Sequence, residues 1–167
     1  WVGLDQSDAD GVQFVADIVA SLHAVDPEIG IGAQALLATG RANPDDVVVS
    51  LLDDLDNADG LTVLALDDLH RTADHPAAIG VLELLLDNLP PGVVVAATSR
   101  ADRDLPLARL RARGELVEVR GPELRFTAAE ADEFLRTVLG LDLPPAHVEA
   151  LVAKTEGWAV GLQLAGV

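Results

Sequence analysis

At 167 residues, half of them hydrophobic and only 3% aromatic, the chain has the length of one ordinary domain and must build its core from Leu, Val, Ile and Ala rather than from rings. It holds no cysteine, which excludes a disulfide framework and a thiolate metal site, and no apolar run approaches the roughly 20 residues that a membrane-spanning helix needs. A formal net charge of -17 repels a nucleic-acid backbone, because such binding rests on neutralising phosphates with Lys and Arg, so no direct nucleic-acid contact is expected of this segment.

The same field opposes a nucleotide, so any phosphate site must rest on a few local donors drawn from ten arginines and Lys154. The start WVGLDQSDAD lacks the basic stretch of a signal peptide, and the cytoplasm is the expected compartment. The chain has no methionine, opens inside a strand-like run and stops inside an apolar helical pattern, GLQLAGV. Both ends read as cut from a longer polypeptide.

Trp1 to Leu4 is a short apolar run of strand character. Ser7, three residues before Asp10, resembles a capping-box start for a helix whose stripe is Val12, Val15, Val19 and Leu22. A Gly-rich stretch around Gly30 and Gly32 reads as a loop. Asn43 and Pro44 then supply an N-cap and a first helical residue, followed by Val47, Val48, Leu51, Leu52 and Leu55 at helical spacing.

Leu61 to Leu66 is a continuous apolar run, expected to be a strand buried on both faces, and it leads straight into Asp67 and Asp68. Pro76 opens a helix with Ile79, Leu82, Leu85, Leu86 and Leu89 inward, closed by Pro90, Pro91 and Gly92. Val93 to Thr98 is the next buried strand. Strand, helix and strand form a βαβ unit, which dictates parallel pairing and a right-handed crossover. Further on, LPLARLRARG reads as a short basic helix and Leu116 to Val119 as a last strand.

Beyond Pro122 the pattern is helical only. Thr127 with Glu130 makes a capping box for a helix through Leu139, Pro145 starts another through Lys154, and Gly157 precedes a last apolar helix. A change from mixed to purely helical pattern places a boundary here, giving an α/β core over 1–121 and a helical subdomain over 122–167.

The chemistry concentrates where LTVLALDDLH and VVVAATSR end. Ligands of open parallel sheets bind outside the carboxyl ends of the strands, so carboxylates on one end and an arginine on the next can address one phosphate. A carboxylate suits a magnesium ion, usually through water, and a guanidinium suits terminal phosphate oxygens. A solvated turn after a buried strand gives the same pattern. Neighbouring strand side chains face opposite sides, so Asp67 and Asp68 serve one crevice only if the strand ends between them. Asp67 is then the magnesium residue and Asp68 the catalytic group that orients or polarises water.

LDDLH, ATSR with DLPLARLRARGELVEVR, LRFTAAEADEFL and TEGWAVGLQLA occur in that order. Together they resemble the nucleotide-binding module of the maltose-regulator-like LuxR-type transcriptional regulators, which are P-loop signal-transduction ATPases. The resemblance implies an incomplete P-loop NTPase-type fold, a three-layer αβα arrangement on a parallel sheet, followed by a small all-helical subdomain. It makes Asp67 the Walker B magnesium carboxylate, Asp68 its acidic neighbour and Arg100 the sensor of the terminal phosphate. It brings Gly157 and Ala159 towards the adenine, although many relatives carry proline where Ala159 stands. Its cofactors are ATP or ADP with Mg2+. Its partners are other domains of the parent chain, with self-association in the ATP state.

The phosphate loop itself, GxxxxGKS or GxxxxGKT, occurs nowhere in the sequence, and Lys154 stands far from any Gly-rich strand-to-helix turn. Family architecture puts that loop and its strand upstream of Trp1, leaving a gap in the sheet between the strand ending at Arg100 and the run at Leu116 to Val119.

Other signals are poorer. Gly30, Gly32 and Ala35 fit GxGxxA, but HAVDPEI before them is no convincing strand. His70, Asp74 and His75 match no established metal-ligand spacing. Ser99 lacks the GxSxG elbow of a hydrolase nucleophile. Trp158 reads as a core anchor, and Arg109, Arg111 and Arg113 as a basic stripe that is either solvated or faces another domain.

Two functions follow. One is a nucleotide switch, a slow regulatory ATPase in the intact parent, coupled to a DNA-binding or other output domain. The second is a degenerate scaffold that keeps the fold, binds no nucleotide and acts through protein contacts.

Overall fold

The computed structural model describes residues 1–5, 10–101 and 105–165. The chain divides into two compact units, Trp1–Arg113 and Gly114–Val167, earlier in the chain than the expected boundary at Pro122. In the first unit, β1 (Val2–Gly3) is followed by α1 (Gly11–His23), α2 (Ile31–Ala38) and α3 (Pro44–Asp56). Next come β2 (Thr62–Asp67), α4 (Pro76–Asp87), β3 (Val93–Ala97) and α5 (Ala108–Arg113).

The helix starts follow their caps. Asp10 caps α1 by accepting from the Val12 N–H at 2.9 Å, while Ser7 lies outside the described residues. Asn43 accepts from the Asp45 N–H at 3.3 Å and Pro44 opens α3 as expected. The inward stripe of α1 is wider than expected, because Phe14 and Ile18 join Val15, Val19 and Leu22 in the core.

The expected loop around Gly30 is instead the start of α2. Gly30 is its N-cap at φ 86, and its N–H donates to Asp54 on α3 at 2.8 Å. Gly32 lies inside the helix, where an added Cβ would sit 2.6 Å from the Ser50 hydroxyl of α3. The glycine serves a close helix crossing, which its sequence neighbours do not reveal. A helical Gly32 with no strand before it also removes the GxGxxA nucleotide loop.

The three strands pair in parallel in the order β1-β2-β3, with Val2 beside Leu66 and Leu66 beside Ala97. Both crossovers advance in the same direction across the sheet. Because each is right-handed, the physics of strand twist puts α1 to α4 on one face. Leu64 and Leu66 point into that face and are buried with Phe14, Leu51, Leu82 and Leu85.

The opposite face departs from expectation. Val63 on β2 and Val94 on β3 are neighbours and stay 54% and 49% exposed. Among the described residues, Val63 and Val94 thus leave one face of the strands open, where burial on both faces was expected; the mixed α/β unit on a parallel sheet is compatible with the expected incomplete αβα arrangement. The run Leu116 to Val119 forms no strand, and Val117 is 90% exposed. A lone extended segment without a partner strand has no ladder to hold it.

The second unit contains α6 (Ala128–Thr137), α7 (Pro145–Thr155) and α8 (Ala159–Ala165) around Ala131, Leu135, Val148 and Leu162. The capping box of α6 forms as read. Glu130 accepts from the N–H and the hydroxyl of Thr127, both at 2.8 Å, and its own N–H donates to that hydroxyl at 3.3 Å. These bonds, the backbone one first, hold the Glu130 carboxyl below its ordinary 4.5. Glu156 and Gly157 both have positive φ, and the Phe126 N–H donates to the Gly157 carbonyl at 2.8 Å. Trp158, expected as a core anchor, is 45% exposed, while Leu162 one turn later takes the buried place.

Three outcomes test this packing. In denaturant melts, Leu64→Ala should cost about 2–5 kcal/mol, whereas Val63→Thr on the open face should stay within about 0.5 kcal/mol. Gly157→Ala should destabilise the second unit by about 1–3 kcal/mol, because a Cβ there meets the Phe126 carbonyl oxygen at 2.7 Å with the backbone at φ 75. A carboxyl held below its unfolded value stabilises above that value, and the contribution is lost as pH falls through the folded one. The Thr127 amide resonance should accordingly titrate with a midpoint below 4.5, moving upward in Thr127→Ala.

Candidate functional site

The carboxyl ends of β2 and β3 lie side by side because the strands are parallel and in register. One step beyond the Leu66 and Ala97 pair, Asp67 meets Thr98. The Thr98 hydroxyl donates to Asp67 Oδ1 and accepts the Asp68 N–H at 2.9 Å. Around it, the Thr98 N–H donates to the Leu66 carbonyl at 3.0 Å, and the Leu69 N–H to the Thr98 carbonyl at 2.8 Å. On the other side of β2, the Leu4 N–H donates to the Asp67 carbonyl at 3.1 Å.

The strand ends between the two aspartates, which is the condition for both to serve one crevice. Asp67 closes β2, and Asp68 turns into the left-handed region at φ 59, ψ 39, leading a 3-10 turn over Leu69–Arg71. An aspartate tolerates this backbone better than most residues, but a non-glycine there marks a constrained turn. The Asp68 carboxylate is held by the Arg71 Nε at 3.3 Å and lies 3.7 Å from His70 Nδ1. His70 Nδ1 in turn faces the Arg100 N–H at 3.5 Å.

Asp67, Asp68 and Arg100 are thus brought to one end of the sheet. Among the described residues, the Arg100 guanidinium has no hydrogen bond or ion pair, and Asp67 Oδ2 has no partner. Ser99 donates its hydroxyl to the Ala101 carbonyl, a local turn contact rather than a nucleophile arrangement. Gly157 and Ala159 belong to the second unit, where Gly157 closes α7 against Phe126 and Ala159 begins α8. No group of three or more His, Asp or Glu suited to a metal ion exists among the described residues, so His70, Asp74 and His75 do not converge. Of the basic stripe, Arg109 and Arg113 pair with Asp87 of α4, which makes it an anchor for α5.

Thr98 is the site residue that sequence reasoning missed. The sequence places it at the end of the Val93 to Thr98 run, but that it meets Asp67 follows from the register, Leu66 beside Ala97, which the fold supplies. A cleft of about 380 Å3 between α3 and α4, lined by Leu52, Asp53, Asp56 and Leu84, lies towards the amino ends of the strands, away from these groups.

One carboxylate with Oδ1 held by a hydroxyl and Oδ2 open suits a magnesium ion bound through water. It is too small a donor set to hold the ion without phosphates. The residues present therefore fit the sensing side of a nucleotide site and supply no cradle for its phosphates.

No family model matches the chain. It is 35% identical over 173 residues, spanning all of this chain, to the serine/threonine-protein kinase PknK of Mycobacterium tuberculosis. To the HTH-type transcriptional regulator MalT of Yersinia pestis it is 28% identical over 165 residues, 98% of this chain. The chain spans 15% of the length of the first relative and 18% of the second, so it aligns with one segment of each of these much longer proteins.

Proposed function

We propose that this chain is the magnesium and phosphate-sensing side of an ATP/ADP-binding switch module in a multidomain regulator. The observation that carries the reading is the juxtaposition of Asp67, Asp68 and Arg100 at the adjoining carboxyl ends of two parallel strands. The two relatives support it from another side. A kinase and a helix-turn-helix regulator differ in output by their names, yet each aligns with this chain over nearly its whole length. A segment common to both is better read as a control unit than as either output.

In this reading Asp67 holds magnesium through water, Arg100 reads the terminal phosphate and Asp68 orients the attacking water. The pair between Asp68 and Arg71 has to exchange for that water when nucleotide enters. The resemblance alone adds Gly157 and Ala159 as adenine contacts. The phosphate loop lies in the parent chain, on a strand that pairs with the open edge of β3, and the open face bearing Val63 and Val94 is covered there as the third layer. Nucleotide state then passes to the output domain, with hydrolysis slow enough to act as a timer and self-association favoured by ATP.

Calorimetric titration with Mg-ATP tests this. The 167 residues alone should give no measurable heat, because backbone N–H groups and a lysine for the phosphates are absent. The natural polypeptide that carries them should bind, and Asp67→Ala should abolish that binding. Tight binding by the 167 residues alone would overturn the division of labour, and a parent that binds no nucleotide would make the module an interaction scaffold.

A further inference from the structure

We infer that Thr98 is the positioning residue of this site: its hydroxyl selects which oxygen of Asp67 is presented to magnesium and fixes the turn that carries Asp68. The inference rests on the nucleotide reading above and adds a residue that the strand-end motif alone does not single out.

The argument is one of hydrogen-bond capacity. An ionised carboxylate only accepts and a backbone N–H only donates, so a single group can bridge Asp67 and the Asp68 amide only if it donates and accepts at once. A hydroxyl does this. Thr98 spends its one proton on Asp67 Oδ1 and takes the Asp68 N–H on a lone pair at 2.9 Å. The backbone keeps the residue in place, with the Thr98 N–H bound to the Leu66 carbonyl and its carbonyl to the Leu69 N–H.

Two consequences follow for the site. With Oδ1 occupied, Oδ2 is the oxygen left to face a metal-bound water, and the carboxylate is held in one rotamer before any ligand arrives. The Asp68 amide, bonded to the same hydroxyl, keeps the left-handed turn in place, and with it the pair between Asp68 and Arg71. A β-branched residue suits the post because its side chain is stiff at χ1. Valine has the same shape and neither function.

The test uses Thr98→Val, which keeps the shape, and Thr98→Ser, which keeps the hydroxyl. In the natural polypeptide, nucleotide affinity is measured with magnesium and with excess chelator. Thr98→Val should weaken Mg-ATP binding about tenfold while leaving magnesium-free binding within about twofold, and Thr98→Ser should restore the magnesium effect; the loss of a charge-assisted bond sets that scale. In the 167-residue chain, hydrogen exchange of the Asp68 amide should quicken about tenfold in Thr98→Val and not in Thr98→Ser.

A purely structural role for Thr98 would weaken both affinities together, and that result would overturn the inference. So would an unchanged magnesium effect or an unchanged Asp68 amide. Should Thr98→Val fail to fold, Thr98→Ala with the same two readouts decides in the same way. A wild-type polypeptide that binds no nucleotide at all would instead overturn the proposed function, and this role with it.

Discussion

The parallel ladder between β2 and β3, in the register that sets Leu66 beside Ala97, decides where every polar group at the end of this sheet lies. A shift of one residue would exchange the buried and open faces of one strand and carry Thr98 away from Asp67. Burial of Leu64 and Leu66 under α1, α3 and α4 is what forbids that shift. The core beneath the site thus decides which residues meet there, and the few bonds at the site decide how their side chains are turned.

The elements with strong local signals were legible. Asn43 and Pro44, the Leu61 to Leu66 run, Pro76 and the Thr127 to Glu130 box each state their role within a few residues, and each occurs where the sequence places it. What failed depended on partners far along the chain. Gly32 looks like a loop residue until Ser50 is known to cross it. The Leu116 to Val119 run has strand composition, but composition cannot supply the neighbouring strand that makes a ladder. Apolar strands suggested burial on both faces, while the direction of the two crossovers, which governs how many layers form, is a property of topology and cannot be read from periodicity.

The site divides in the same manner. Asp67, Asp68 and Arg100 were legible as types of residue at strand ends, and the fold does bring them together. The constraint that lets the two aspartates face one crevice, the chain ending its strand between them and turning left-handed at Asp68, was legible only as a condition. TEGW has a structural cause independent of any ligand. Gly157 bears the backbone contact to Phe126, and Glu156 reaches Arg125 at 3.1 Å. That motif therefore weighs less as evidence for adenine contact than its position in the sequence order suggests.

A chain of net charge -17 whose Arg100 guanidinium, unpaired among the described residues, stands at the sheet end with two carboxylates cannot hold a polyphosphate by attraction. The proposed function asks less of it, to distinguish two nucleotides held by something else. A ligand moves a two-state equilibrium only through the difference in its affinity for the two states, however tightly it binds overall. Groups that address the terminal phosphate and its metal act directly on that difference. In the proposed switch, separating the grip from the reading would let the grip serve both nucleotides while Asp67, Asp68 and Arg100 tell them apart. Under that proposal the acidity of this end would serve the discrimination, since a terminal phosphate placed near Asp67 and Asp68 without magnesium would be repelled.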